Sequence, residues 1–146
     1  LPPRVPSRWE GTVHSADVGD QKYSTAAWLP QEPRRVEQFE LHLPRPVRGL
    51  ELQYMCHLQD IGDSPWLNAG TPCGTTGESR RMEAFAFRLA GPAARDYTVR
   101  YWCLVEGAQT PSGPYADGEL CGTKGESRAL LGMKVELVKR PAPPRR

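Results

Sequence analysis

Four cysteines, three histidines and seventeen carboxylates are the side chains here with types suited to chemistry. The cysteines are Cys56, Cys73, Cys103 and Cys121, and they could form bridges, hold a metal or act as nucleophiles. A zinc set is not expected, since there is no C-x-x-C and His14, His42 and His57 are scattered. Neither a nucleophile elbow nor a zinc helix motif is present. Two carboxylates could hydrolyse a glycoside, but only at a defined separation that no motif here sets. Gly74-Thr-Thr-Gly77 and Gly122-Thr-Lys-Gly125 resemble a phosphate loop superficially. The Gly-Lys-Ser/Thr ending is missing and no helix is expected to follow. We therefore expect no catalytic residue, no metal and no cofactor.

Those two loops belong to a larger repetition. "PCGTTGESR" at 72–80 recurs as "LCGTKGESR" at 120–128. Around them Tyr54 matches Tyr101, Cys56 matches Cys103, Pro65-Trp66 matches Pro114-Tyr115, and Gly70 matches Gly118. A third, worn copy lies upstream. "VHSADVGD" (13–20) matches "CHLQDIGD" (56–63), and "RRVEQFELHL" (34–43) matches "RRMEAFAFRL" (80–89). A period of this size points to a repeat or pseudo-symmetric architecture. The units span about 8–46, 47–93 and 94–139, forming a single domain over 8–139.

The repetition also selects among the three pairings open to four cysteines. A bond inside each unit needs one local geometry used twice, which predicts Cys56–Cys73 and Cys103–Cys121. The first unit has Val13 in place of the leading cysteine and lacks the Gly-Thr-x-Gly loop, so both partners are missing together. Each bridge closes a loop of about 17 residues and contributes roughly 3 kcal/mol on the chain-entropy model. Bridges imply an oxidising compartment.

The positioning elements read as strands. Leu52, Tyr54, Cys56 and Leu58 alternate against Gln53, Met55 and His57, and Val99, Tyr101, Cys103 and Val105 repeat the pattern. The closing strand of each unit supplies Phe39, Leu41, Leu43; Phe85, Phe87, Leu89; or Met133, Val135, Leu137. These nine residues are the expected core. Short stretches around Gly70 and Gly118 read as a small hairpin. The order long, short, short, long, three times over, predicts an all-β fold. We expect it to be β-trefoil-like, with a closed six-stranded barrel capped by three hairpins, and a three-sided β-prism as the alternative. The glycine loop is expected to turn the chain into the closing strand, its threonine hydroxyls satisfying loose backbone groups.

Fifteen prolines and fourteen glycines suit such a turn-rich domain. The ends, 1–7 and 140–146, read as Pro/Arg tails. Arg4, Arg8, Lys139, Arg140, Arg145 and Arg146 lie in or beside them, and without these six the body has 13 basic and 17 acidic residues, net −4. A nucleic-acid partner is not expected, because it requires a basic stripe on the folded part. No apolar run approaches a membrane span of ~18–20 residues. The chain opens on Leu1 without a signal segment, so we expect a removed leader or an excised fragment.

At this point the residues resemble a known family. His57, Gln59, Ile61, Gly62, Trp66, Gly70, Gly74, Thr75, Thr76, Gly77, Arg81, Glu83 and Ala84 occur in the order of the clostridial hydrophobic repeat with a signature tryptophan, the ChW repeat. The resemblance is close over 54–89, partial over 97–138 and faint over 8–43. A second family tryptophan is Asp63 here, and the cysteines stand where small residues are usual. The resemblance implies a bacterial secreted or surface-attached protein, with a role in adhesion or in binding glycans and other polymers.

The histidines fit this better than catalysis. His14 and His57 share a repeat position that Leu104 fills in the third unit, as expected of packed side chains. We expect a non-catalytic, lectin-like module for a carbohydrate or cell-surface polymer. Its candidate ligand residues are Asp63, Trp66 and Asn68 in the second unit and Tyr115 and Asp117 in the third, where an aromatic stands near fixed polar groups. Two uses of Trp66 and Tyr115 stay open, ligand contact and plugging the barrel end. The alternative function is a protein-binding or adhesion module of a larger secreted protein.

Overall fold

A computed structural model of the chain describes residues 6–24 and 27–141. β1 (Pro6–Ser7) precedes the first unit, which holds β2 (Glu10–Ser15), β3 (Gly19–Ser24) and β4 (Val36–His42). The second holds β5 (Glu51–Leu58), β6 (Gly62–Asp63), β7 (Leu67–Asn68), β8 (Cys73–Gly74) and β9 (Met82–Ala90). After a short 3-10 turn at Ala94–Asp96, the third holds β10 (Tyr97–Val105), β11 (Ser112–Ala116), β12 (Cys121–Gly122) and β13 (Leu130–Lys139).

The fold is all-β, and its strands form three separate antiparallel sheets. Their orders are β3-β2-β4-β8, then β12-β9-β5-β6 with β7 also on β5, then β1-β13-β10-β11. The closed six-stranded barrel is not formed. Each unit's long pair stays together in its own sheet, so three-sided architecture replaces the barrel. The capping hairpins are absent too. The first short strand folds back on its own unit's opening strand, while the second crosses to a neighbour.

The long pairs are equivalent in register. Val13 faces Phe39, Cys56 faces Phe85 and Cys103 faces Met133. Each pair is bulged at the same place, after His14, His57 or Leu104. A bulge bends a strand and increases its twist.

The crossings interlock the units into a closed cycle. β8 of the second unit pairs with β4 of the first, setting Cys73 opposite Phe39. In the same way β12 of the third unit pairs with β9 of the second, setting Cys121 opposite Phe85. The first unit completes the cycle with Leu29, which exchanges both backbone hydrogen bonds with Met133 of the third, at 2.7 and 2.9 Å. The disulfides Cys56–Cys73 and Cys103–Cys121 are therefore within units, as the repetition predicts, yet each joins two sheets. Val13 and the fully buried Leu29 occupy the corresponding places in the first unit.

Aromatic donors fasten the same junctions. The Tyr54 hydroxyl donates to the Thr71 carbonyl at 2.6 Å and accepts from the Leu41 N–H at 3.3 Å. Tyr101 bonds the Glu119 carbonyl and lies 3.4 Å from the Phe87 carbonyl. The first unit has Gly11 at that position, and Trp9 takes over, its indole N–H donating to the Val135 carbonyl at 2.9 Å. Burial pushes both tyrosines up to about 12, the main cause being lost hydration of the phenolate.

Where the sheets meet, Phe39, Tyr54, Phe85, Phe87 and Tyr101 form one aromatic cluster with neighbouring centroids 4.9–6.1 Å apart. Such edge and offset contacts add to the area each ring buries. Seven of the nine expected core residues are buried; Leu43 and Leu89 are only partly so, because their strands end there. Of the expected tails, residues 1–5 and 142–146 lie outside the described residues. Pro6–Ser7 instead pairs with β13, and the Arg140 N–H donates to the Asp96 carbonyl at 2.7 Å, so the ordered edge reaches further at both ends than composition indicates.

Candidate functional site

The two repeated histidines sit in matching carboxylate clamps. His57 Nδ1 is 2.8 Å from Asp63 and its Nε2 is 3.6 Å from Glu83. His14 repeats this with Asp20 at 2.8 Å and Glu37 at 3.6 Å. The glutamates are nearly buried on the closing strands, and the aspartates sit on the returning short strands. In the third unit Leu104 and Leu131 take the His and Glu places, and Trp28 and Pro30 line a small apolar cleft beside them. Exchange of the whole clamp for an apolar contact marks it as a packing device between strands. Each of these histidines thus has a carboxylate beside both ring nitrogens.

The glycine loops press on these clamps from the next unit. The Thr75 N–H donates to the Glu37 carbonyl at 3.0 Å, and the Thr123 N–H to the Glu83 carbonyl at 3.1 Å. The backbone, not the hydroxyls, makes the bond; Thr75 Oγ1 and Thr123 Oγ1 are buried without a partner among the described residues. Gly74 and Gly122 are required by contact as well as by their φ of +112° and +113°. A Cβ there would lie 2.2 and 2.4 Å from the same carbonyl oxygens.

Asp63, a candidate ligand residue, belongs to one of these junctions. Besides His57 it holds Lys124 of the third unit at 2.7 Å. The Lys124 ammonium keeps the Asp63 carboxyl below the usual carboxylate range, and His57 adds to the effect.

Trp66 and Asn68 lie instead on a polar row across the second sheet. The Arg88 guanidinium sits over the Trp66 ring, 4.2 Å from its centroid. Arg88 Nε donates to Gln53 at 2.8 Å, and the Gln53 amide donates to Asn68 Oδ1 at 3.1 Å. Cross-strand register explains the row, for Gln53 faces Arg88 on one side and Asn68 on the other. Asn68 then lines a cleft of about 430 Å³ between the first and second units, with His42, Leu43, Pro46, Leu50, Leu52 and Ala69. An aromatic, a fixed chain of amide and guanidinium groups, and an apolar-floored cleft thus adjoin. Trp66 does not plug a barrel end, since there is no barrel.

Tyr115 and Asp117 are placed differently. Tyr115 pairs with Tyr101 as Leu67 pairs with Tyr54, so its structural counterpart is Leu67, and that of Trp66 is Pro114. The repeated Pro-aromatic dipeptide misaligns the units by one residue; Gly70 and Gly118, which donate to the equivalent carbonyls of Leu41 and Phe87, set the true offset. Tyr115 packs on the core, and Asp117 faces Arg140 at 4.0 Å. Sequence reading missed Arg88, Gln53 and His42. The first two were available as alternating polar positions on facing strands, whereas the cleft beside His42 arises only where two units meet.

Residues 57–91 match the model of a repeat family described as ChW, clostridial hydrophobic W. That segment begins at the clamp histidine, contains Trp66 and Asn68, and ends just past Arg88. No curated protein and no solved structure matches the chain. Among the described residues no helix is long and apolar enough to cross a membrane, and no group of three or more His, Cys, Asp and Glu is placed to hold a metal.

Proposed function

We propose that this domain is a non-catalytic extracellular binding module that takes a carbohydrate or cell-surface polymer on the second unit. The observation that carries this reading is the continuous row Trp66–Arg88–Gln53–Asn68 opening into the cleft beside His42 and Leu43. Saccharides present apolar C–H faces and many hydroxyls, and sites for them combine apolar or aromatic surface with a few fixed polar groups. Two disulfides support an oxidising compartment. The similarity of residues 57–91 to a repeat family points the same way.

The test is glycan-array binding by the wild type and by Trp66→Ala and Asn68→Ala, each with its thermal unfolding recorded. Loss of a central anchor costs on the order of 2 kcal/mol or more, enough to erase a weak signal. The reading requires both variants to lose binding while melting near the wild type. Retained binding by the folded variants removes the row from the site, and a wild type that ignores every glycan and cell-wall preparation removes the reading.

A further inference from the structure

Gln59 and Glu106 directly follow the opening strands of the second and third units, and each closes the same ring of contacts. Their backbone N–H groups donate to the Arg81 and Ala129 carbonyls at 3.1 and 2.9 Å. Their side-chain oxygens accept in return from the N–H of those same residues, at 3.3 Å in both units. An arginine then covers the turn. Arg80 Nη1 donates to the Gln59 carbonyl at 3.0 Å, and Arg128 Nε to the Glu106 carbonyl at 2.8 Å.

The first unit has this ring without its filler. The Ala16 N–H donates to the Arg35 carbonyl at 2.9 Å, which fixes the equivalence, but alanine has no side-chain acceptor to return. The Arg35 N–H meets no acceptor among the described residues, and the buried Arg35 Nε has no partner there either. Arg34 uses its own N–H on the third unit, at 3.1 Å from the Leu131 carbonyl. Ala16 and Arg35, the two sides of the incomplete ring, both line a cleft of about 470 Å³.

Charge decides what fits. The charged groups lining the cleft are Arg34 and Arg35 against Asp17 and Glu37. Position for position this is the second unit's set of Arg80, Arg81, Asp60 and Glu83, and there the filler is the neutral carboxamide of Gln59. The third unit, which uses the carboxylate of Glu106, has Gly107 and Leu131 at the two acidic places. A carboxylate in the first unit would face Asp17 and Glu37, whereas a carboxamide offers an oxygen to donors and an N–H to acceptors. Both kinds of partner are present. The donors are the Arg35 N–H and Nε. The acceptor is the nearly buried Glu37 carboxylate, which has only His14 beside it at 3.6 Å, while its counterpart Glu83 is held by Arg81 at 2.8 Å. Leaving such buried groups unmet is costly. Among the substituents of saccharides, the acetamido group is the neutral carboxamide.

We propose that this cleft is a second contact site, taking the acetamido group of an N-acetylated amino sugar. Its oxygen accepts from Arg35, its N–H turns to Glu37, and its methyl lies against Ala16 and Pro33, which also lines the cleft. This rests on the carbohydrate reading and extends it to the first unit.

The experiment is an NMR titration of the intact, isotope-labelled chain with tri-N-acetylchitotriose, cellotriose and a glutamine-containing tripeptide amide. Tri-N-acetylchitotriose should shift the Arg35 amide signal and bind about fivefold or more tighter than cellotriose, the size expected of a neutral hydrogen bond. Ala16→Gln, which supplies the second unit's filler, should remove this preference while melting at or above the wild type. A folded Ala16→Gln protein that keeps the preference overturns the proposal, as do equal binding of the two trisaccharides and shifts that spare Arg35; all three leave the carbohydrate reading standing. Tighter binding of the tripeptide than of tri-N-acetylchitotriose overturns the sugar assignment. No response to tri-N-acetylchitotriose overturns the proposal by itself, and the carbohydrate reading falls with it only if the wider glycan panel also fails to bind.

Discussion

The Trp9 indole N–H donates to the Val135 carbonyl at 2.9 Å, and through that bond the first unit holds the third. The equivalent carbonyls on the other two junctions, Leu41 and Phe87, are met by Tyr54 and Tyr101 and by the N–H groups of Gly70 and Gly118. An aromatic donor thus reaches the same backbone position three times, although the donor residue and its place in the unit differ in the first.

Replacing Trp9 should therefore open the cycle. Trp9→Phe is expected to cost about 1 kcal/mol for the lost hydrogen bond, and Trp9→Ala about 3–5 kcal/mol for the cavity, both read from urea unfolding. Adding Gly11→Tyr, which copies the other units, should not rescue the alanine variant. A Cβ at Gly11 would lie 2.2 Å from the Glu40 carbonyl oxygen.

Val13 and Leu29 stand where the other units have bridged cysteines. Val13→Cys/Leu29→Cys should then form a third bridge on oxidation, seen as protection from alkylation in the folded protein. The short loop it closes should add up to about 3 kcal/mol. Free thiols in the oxidised, folded variant would show that the first unit's junction has a different geometry.

The two glycines of one loop should respond very differently. Gly74→Ala drives a Cβ to 2.2 Å from the Glu37 oxygen and breaks the contact between β8 and β4. Gly77 has a φ of +73° but nothing within 4 Å. Gly77→Ala should cost about 1 kcal/mol of backbone strain, and Gly74→Ala several times that by the same unfolding measurement.

Two pH limits follow from the buried tyrosines and from Asp63. With Tyr54 and Tyr101 raised from 10.0 to about 12 in the folded state, the unfolded chain releases their protons first. Their contribution is whole below pH 10 and is lost as pH rises from 10 to 12. Tyrosinate absorbance from these two should appear together with unfolding. Tyr54→Phe/Tyr101→Phe should be less stable near neutrality but lose less stability across that window. Asp63 acts in the opposite direction. Its depressed carboxyl contributes above its ordinary value of 3.8, and the contribution fades as pH falls below it. Asp63 is about half exposed, so Asp63→Asn should blunt the acid limb only slightly.

The sequence by itself determined the units, their strand content and their covalent links. Period-2 alternation marks a strand with one buried face wherever it occurs, so Phe39, Phe85 and Met133 could be set as equivalents before any contact was known. The joint absence of both cysteines from the first unit was enough to pair the remaining four. Only the tertiary structure decided which unit each short strand joins. Backbone hydrogen bonds of β8 or β12 look the same locally whether the partner belongs to its own unit or to the next. That choice turned an expected barrel into three interlocked sheets. It also made Leu29 the counterpart of a cysteine, a match hidden because the two residues share burial and position but not chemistry. Trp66 and Asn68 were visible as an aromatic near an amide. Their connection through Arg88 and Gln53 depends on strand register, and the cleft that Asn68 lines exists only where the link 43–50 meets the short strand of the second unit.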